Sequence, residues 1–238
     1  MQILKNLFQL SGSLNGVTWR GGYGNYEDAN VYLLRTAEGC VLFDCGCGET
    51  WEQIVANMNY WGISLDEVKA CFLTHSHMDH TGAGHFLAER NIPIYAHSRT
   101  AAALEAADER CGGYLYHKEQ FSFRVGNTFN EAVSFESCGV EICAEPFPGH
   151  TMGCTAYIFT HEGKKIVVSG DIIGTLLDGY FGWDGSVDFD YGVYLESLKR
   201  FARVESDIML PGHGMVYFGR PKVRVEDALC VALSEWRK

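Results

Sequence analysis

The chain has 238 residues, of which 47% are hydrophobic and 21% charged, and its formal net charge is −11. That balance describes a folded globular protein rather than a disordered one. No lysine or arginine run supplies the basic footprint that nucleic-acid binding needs, so no nucleic-acid partner is expected. No apolar run approaches the roughly 18–20 residues of a membrane span. Residues 1–6 read as a strand and lack the features of a secretory leader. The nine cysteines follow no even spacing, which predicts reduced thiols and a cytoplasmic protein. Cys45 and Cys47 are too close for the usual structural zinc pair. They read as small strand-end or loop residues, with Cys47 a candidate for the edge of a pocket.

Apolar, strand-like runs alternate with helical patterns along the whole chain, which predicts an α/β architecture in one domain, residues 1–238. Residues 31–35 and 40–44 flank Ala37, Glu38 and Gly39 as a hairpin. Residues 50–60 predict a helix with Trp51, Ile54, Val55 and Met58 as its apolar residues. Ser64 and Glu67 have capping-box spacing and open a short helix before a strand at 69–73. A helix is expected over 81–90, a strand over 92–96, and an alanine-rich helix over 98–107 capped by Ser98. The stretch 108–130 has no readable period. It is expected to be an insertion that covers the site or makes a subunit contact, which would make the protein a homo-oligomer. Strands follow at 140–147, 155–160 and 165–169, then a helix at 191–204, a strand at 207–210 and a closing helix at 225–236.

Directly after the apolar run 70–73, His75, His77, Asp79 and His80 crowd four potential metal ligands into six residues. Alternation puts His75 and His77 on one side of an extended segment. Asp79 and His80 then turn a different way as the chain leaves the strand, so one short loop can serve two adjacent cations. Three later strand ends each carry a ligand-type residue beside a glycine: Gly149-His150, Gly170-Asp171 and Gly212-His213. Taken singly, each reads as an ordinary turn. Together with H-x-H-x-D-H they form a set at the C-terminal ends of strands, where open α/β sheets place their sites. His85, His97, His117 and His161 match no ligand position. His85 is expected to be structural or to back a ligand, His97 to be hydrogen-bonded at a sheet edge, and His161 to lie in an exposed hairpin turn.

On His75-x-His77-x-Asp79-His80, His150, Asp171 and His213, the chain resembles the metallo-β-lactamase superfamily. Asn30 and the apolar residues after it, followed by Val41 to Gly46, look like the family's opening strands. The resemblance implies a four-layer αβ/βα sandwich of two mixed sheets with outer helices. It further implies that His75, His77 and His150 hold one metal, that Asp79, His80 and His213 hold a second, and that Asp171 bridges them. Asp44 resembles the family's carboxylate that orients a ligand from behind, with an ordinary strand-end aspartate as the alternative. Tyr180 and Trp183 are candidates for an aromatic pocket wall or for core packing.

Imidazole and carboxylate donors suit zinc and tolerate iron, manganese or cobalt, so two divalent metal ions, zinc foremost, are the expected cofactors. The expected chemistry is attack by a metal-bridged hydroxide on an ester, thioester or lactone bond of a small-molecule substrate. Asp79 and Asp171 would be its catalytic carboxylates, with Asp79 also handling a proton. True metallo-β-lactamases carry Cys or Ser where Asp171 stands, so antibiotic hydrolysis is not expected. Hydroxyacylglutathione hydrolases share the ligand set but continue into a helical C-terminal region, whereas this chain ends soon after His213. Lactonases of the family place a Tyr where Gly174 stands. The alternatives are a mononuclear iron sulfur dioxygenase, a phosphodiesterase, and a binding protein without catalysis.

Overall fold

The structure, a computed structural model, describes residues 1–14, 17–18, 28–173 and 186–235. Side-chain alternation within the strands sets its layers. Along Cys40–Phe43, Val41 and Phe43 face one way and Leu42 the other. Val41, Phe43 and Phe72 pack against Tyr157, Phe159, Ile166 and Leu210, so these residues form a core between two sheets. Leu42 and Cys71 instead meet Ile54 and Met58 of the helix Trp51–Tyr60 and Leu104 of Ser98–Ala106. On the opposite outer face, Val167 and Met209 pack against Tyr194, Leu198 and Phe201 of Tyr191–Phe201 and Val225 of Pro221–Glu235. Helix, sheet, sheet, helix is therefore the order of layers, and the expected αβ/βα sandwich is what forms.

Among the described residues the first sheet has seven strands, in the order Gln2–Leu4, Leu7–Ser11, Val31–Arg35, Cys40–Phe43, Val68–Phe72, Ile94–His97 and Asn127–Phe129. Its first half is antiparallel and its second half parallel. The second sheet has six: Val133–Ser137, Val140–Pro146, Thr155–His161, Lys164–Gly170, Ile208–Pro211 and Tyr217–Phe218. Only Lys164–Gly170 and Ile208–Pro211 pair in parallel there.

Several boundaries differ from expectation for local reasons. The helix read over 81–90 is two pieces, Met78–Thr81 and Gly84–Glu89. The break arises because Ala83 N–H donates to Gly46 O (3.2 Å), across to the preceding loop. The cap of Ser98–Ala106 is His97, whose Nδ1 accepts from Arg99 N–H at 3.1 Å, and Ser98 is already helical. Strand Cys40–Phe43 stops before Asp44, whose φ of +58° turns the chain out of the sheet. The closing helix begins at Pro221, where a missing N–H costs nothing. The stretch 108–130 holds a short turn of helix, Gly113–Tyr116, and the sheet-edge strand Asn127–Phe129, and Phe123 and Val125 join the helix-side core. No helix among the described residues is long and apolar enough to cross a membrane.

Candidate metal centre

The ligand-type residues converge from both sheets. His75, His77, Asp79 and His80 follow Val68–Phe72 of the first sheet, while His150, Asp171 and His213 follow strands of the second. His75, His77, His150 and Asp171 bring their donor atoms within 4.8 Å of one another, and so do Asp79, His80 and His213. Asp171 joins the two groups: its Oδ2 lies 3.5 Å from His150 Nε2 and 3.6 Å from His213 Nε2, and its Oδ1 3.2 Å from His80 Nε2. Six of the seven are at most 5% exposed. His213 is the outermost, with a side chain 17% exposed.

Neighbouring side chains fix which nitrogen each ring turns inward. Asp44 Oδ2 accepts from His80 Nδ1 at 2.7 Å, leaving Nε2 for the centre. Thr74 Oγ1 donates to Asp44 Oδ2 at 2.8 Å and accepts from His75 Nδ1 at 3.1 Å, which turns His75 Nε2 inward as well. For His77 the sense is reversed. Its Nε2 meets Ser186 Oγ at 3.2 Å, and its Nδ1 faces His150 Nε2 at 3.1 Å. At the mouth, His213 Nε2 is 3.0 Å from Asp79 Oδ2.

Burial and neighbours divide the titrations. Burial first, then the cation His80 would become, holds His75 well below the ordinary imidazole range. Burial, with His150 beside it, lowers His77 to about 3. Burial opposes charge on His80 and His213 too, but the carboxylates around them prevail and raise both. Burial likewise works to raise Asp171, yet His213 and His80 pull it well below the usual carboxylate value, and Asp79 is lowered in the same way by His80 and His213.

Three buried atoms at the heart of this cluster, His75 Nε2, His80 Nε2 and Asp171 Oδ1, lack a partner in hydrogen-bond geometry among the described residues, His80 Nε2 and Asp171 Oδ1 having only each other at 3.2 Å as an ion-pair contact. A buried polar atom left unpaired costs about 1–3 kcal/mol. Each of these is a lone-pair donor facing the same space, so a divalent cation would satisfy all three. Gly212 keeps that space clear: a Cβ there would overlap Asp171 Oδ1 and lie 2.7 Å from His80 Cε1. The residues fit the metal that the ligand pattern implies.

The other candidates fall elsewhere. His85 Nδ1 bonds Gly82 O at 3.0 Å and its ring lies on Phe86 and Phe121, a packing role. His97 is the helix cap just described, and its Nε2 reaches Asn130 O at 3.3 Å. His117 is exposed after Gly113–Tyr116. His161 ends its strand beside the turn and bonds Lys5 O at 2.6 Å. Cys45 and Cys47 are buried; Cys47 N–H donates to Asp28 Oδ1 at 2.8 Å, and burial pushes its thiol up to about 12. Tyr180, Trp183 and Gly174 lie outside the described residues. Thr74 and Ser186 escape a reading of the sequence. Thr74 carries a signal only in its place just before His75, and Ser186 carries none.

Comparison with known proteins agrees with this geometry. The family described as the metallo-beta-lactamase superfamily matches residues 24–213. The chain is 26% identical over 196 residues to the atrochrysone carboxyl ACP thioesterase of Aspergillus fumigatus, covering 82% of this chain but 53% of that protein. It therefore spans about half the length of that relative. It is 27% identical to the probable metallo-hydrolase YqgX of Bacillus subtilis, over 78% of this chain and 85% of that one. The native FEZ-1 metallo-beta-lactamase of Legionella gormanii superposes with a TM-score of 0.75 at 19% identity, covering 99% of this chain and 94% of that one, a likeness of fold. With the family match spanning most of its length, this chain belongs to the metallo-beta-lactamase superfamily.

Proposed function

We propose that this protein is a metal-dependent hydrolase that cleaves an ester, thioester or lactone bond in a small-molecule substrate, using two divalent cations, zinc foremost. The observation that carries the reading is the convergence of two ligand groups on one space faced by His75 Nε2, His80 Nε2 and Asp171 Oδ1. When bound, such a cation pair supplies a hydroxide nucleophile near neutral pH and polarises the carbonyl under attack.

The chain's own residues do the rest. Asp171 reaches both groups, with one oxygen beside His80 and the other beside His150. Asp44 and Thr74 turn His80 Nε2 and His75 Nε2 inward, and Ser186 meets His77 Nε2 so that its Nδ1 faces the centre. Asp79, beside the partly exposed His213, is placed to take a proton at Oδ2 and return it to the leaving atom. Acyl chemistry is supported by the thioesterase among the relatives, and hydrolysis in general by the probable metallo-hydrolase. All nine cysteines are free thiols, which supports a reducing, cytoplasmic setting.

The test is metal analysis joined to a panel of thioesters, esters, lactones, phosphodiesters and β-lactams. Two zinc ions per chain and turnover confined to carboxylic acyl bonds are expected. Asp171→Ala should lose metal and more than the roughly 10–100-fold in activity typical of removing a residue behind a ligand. One iron per chain with oxygen consumption and no hydrolysis would overturn the proposal. Full turnover in metal-depleted Asp171→Ala would do the same.

A further inference from the structure

The loop that delivers His213 is held from the other sheet by its backbone. Asn30 N–H donates to Gly212 O at 2.6 Å. Asn30 Nδ2 donates to both Pro211 O (2.9 Å) and Gly214 O (3.1 Å), and the Tyr32 hydroxyl adds a second bond to Pro211 O at 2.8 Å. Three carbonyls of the segment 211–214 are thus gripped by two residues at the start of Val31–Arg35. The amide cannot turn over freely, because Asn30 Oδ1 accepts from Gln9 Nε2 at 2.7 Å in a site where Asn30 is 1% exposed. The adjoining residue reaches the same half of the centre: Ala29 N–H donates to Asp79 O at 3.2 Å.

His213 is the ligand candidate that most needs such a grip. It is the one partly exposed to solvent, and its ring has carboxylate neighbours but no backing acceptor of the kind Asp44 gives His80 among the contacts described. A loop free to move would carry its imidazole away from Asp79 and His80. We infer that Asn30, assisted by Tyr32, is a positioning residue for His213 and thereby sets the affinity of the cation held by Asp79, His80 and His213. This rests on the two-metal reading above.

Asn30→Asp separates the role from mere packing. It keeps the size and the acceptance from Gln9 while turning an oxygen, in place of the donor, toward two carbonyls. The experiment is a zinc titration of the metal-free full chain against a chromophoric chelator, with His213→Ala identifying which binding step belongs to that half of the centre. Expected is a weakening of that step by roughly tenfold or more, with the other step unchanged. Tyr32→Phe, which removes one bond and keeps the asparagine, should weaken the same step by less, and it answers the question if Asn30→Asp fails to fold. Wild-type affinities at both steps in the variant that folds would overturn the inference, and so would an equal loss at both. A wild-type chain that binds fewer than two zinc ions would instead refute the two-metal reading, and the inference with it.

Discussion

Asp44 stands one residue past its strand, in a left-handed conformation, and both its oxygens are in use. Oδ1 accepts from Thr74 N–H at 2.8 Å, and Oδ2 accepts from Thr74 Oγ1 and His80 Nδ1. One carboxylate thereby aims two imidazoles, directly and through a hydroxyl. Asp44→Ala should lower metal retention by roughly 10–100-fold, read as metal per chain after dialysis against a weak chelator. Protonation gives a second prediction. Folding depresses His75 and His77, so the unfolded chain takes up protons first, and their stabilisation is lost as pH falls below the unfolded value of 6.5, for His77 until about 3. Folding raises His80 and His213, so their contribution is complete below 6.5 and lost as pH climbs through their raised values. The metal-free protein should therefore be most stable near pH 6.5; urea midpoints rising steadily from roughly pH 5 to 9 would contradict this. At this scale the sequence exposes ligands better than their supports. His75 to His80 are legible because four donors sit within one loop. Ser186 touches His77 from 109 positions away, a relation that only the folded chain creates.

Loops at strand ends carry the ligand candidates, and the glycine at position 212 is a steric necessity. Any side chain at position 212 enters the space of Asp171 and His80, so Gly212→Ala should displace one of them and cost metal binding while leaving the strands paired. Loss of metal with unchanged far-ultraviolet circular dichroism is the expected result. The capping box at Ser64 is independent of that site. Ser64 Oγ accepts from Asp66 N–H, and Glu67 Oε1 accepts from Ser64 N–H at 2.8 Å. Ser64→Ala should reduce stability by about 1 kcal/mol and leave turnover alone, measured by chemical denaturation beside an assay. Ser64 was readable because its partners are two and three residues away. The break at residues 82–83 was not, since the loop carbonyl of Gly46 that captures Ala83 N–H arrives from another part of the chain. His97 is missed for a different reason: its partner Arg99 is only two residues on, but a capping imidazole carries no signal beside Ser98, the usual capping residue.

At the scale of the molecule, aromatic rings of the described residues pack together between the sheets. Phe72 meets Tyr95 at 4.6 Å between ring centroids, Tyr157 at 5.2 Å and Phe43 at 5.9 Å, and it is fully buried. Phe72→Ala should cost about 3–5 kcal/mol, seen as a lowered denaturation midpoint in metal-loaded and metal-free protein alike. The α/β class was legible in the alternation of strand-like and helical runs, whereas the layer order was implied only by the family resemblance that the strand-end ligand pattern carries. The seventh strand, Asn127–Phe129, was not legible, being three residues long and paired to Ile94–His97 across a distant stretch.

Four of the ligand candidates belong to one sheet and three to the other, and Thr155 N–H donates to Thr74 O at 2.9 Å across the same seam. Bound cations would then act as rivets, making each half of the sandwich lean on the other for its grip. Stripping them should let the seam breathe before the halves themselves melt, so amide exchange at Thr155 would quicken while the hydrogen bonds within each half stay slow.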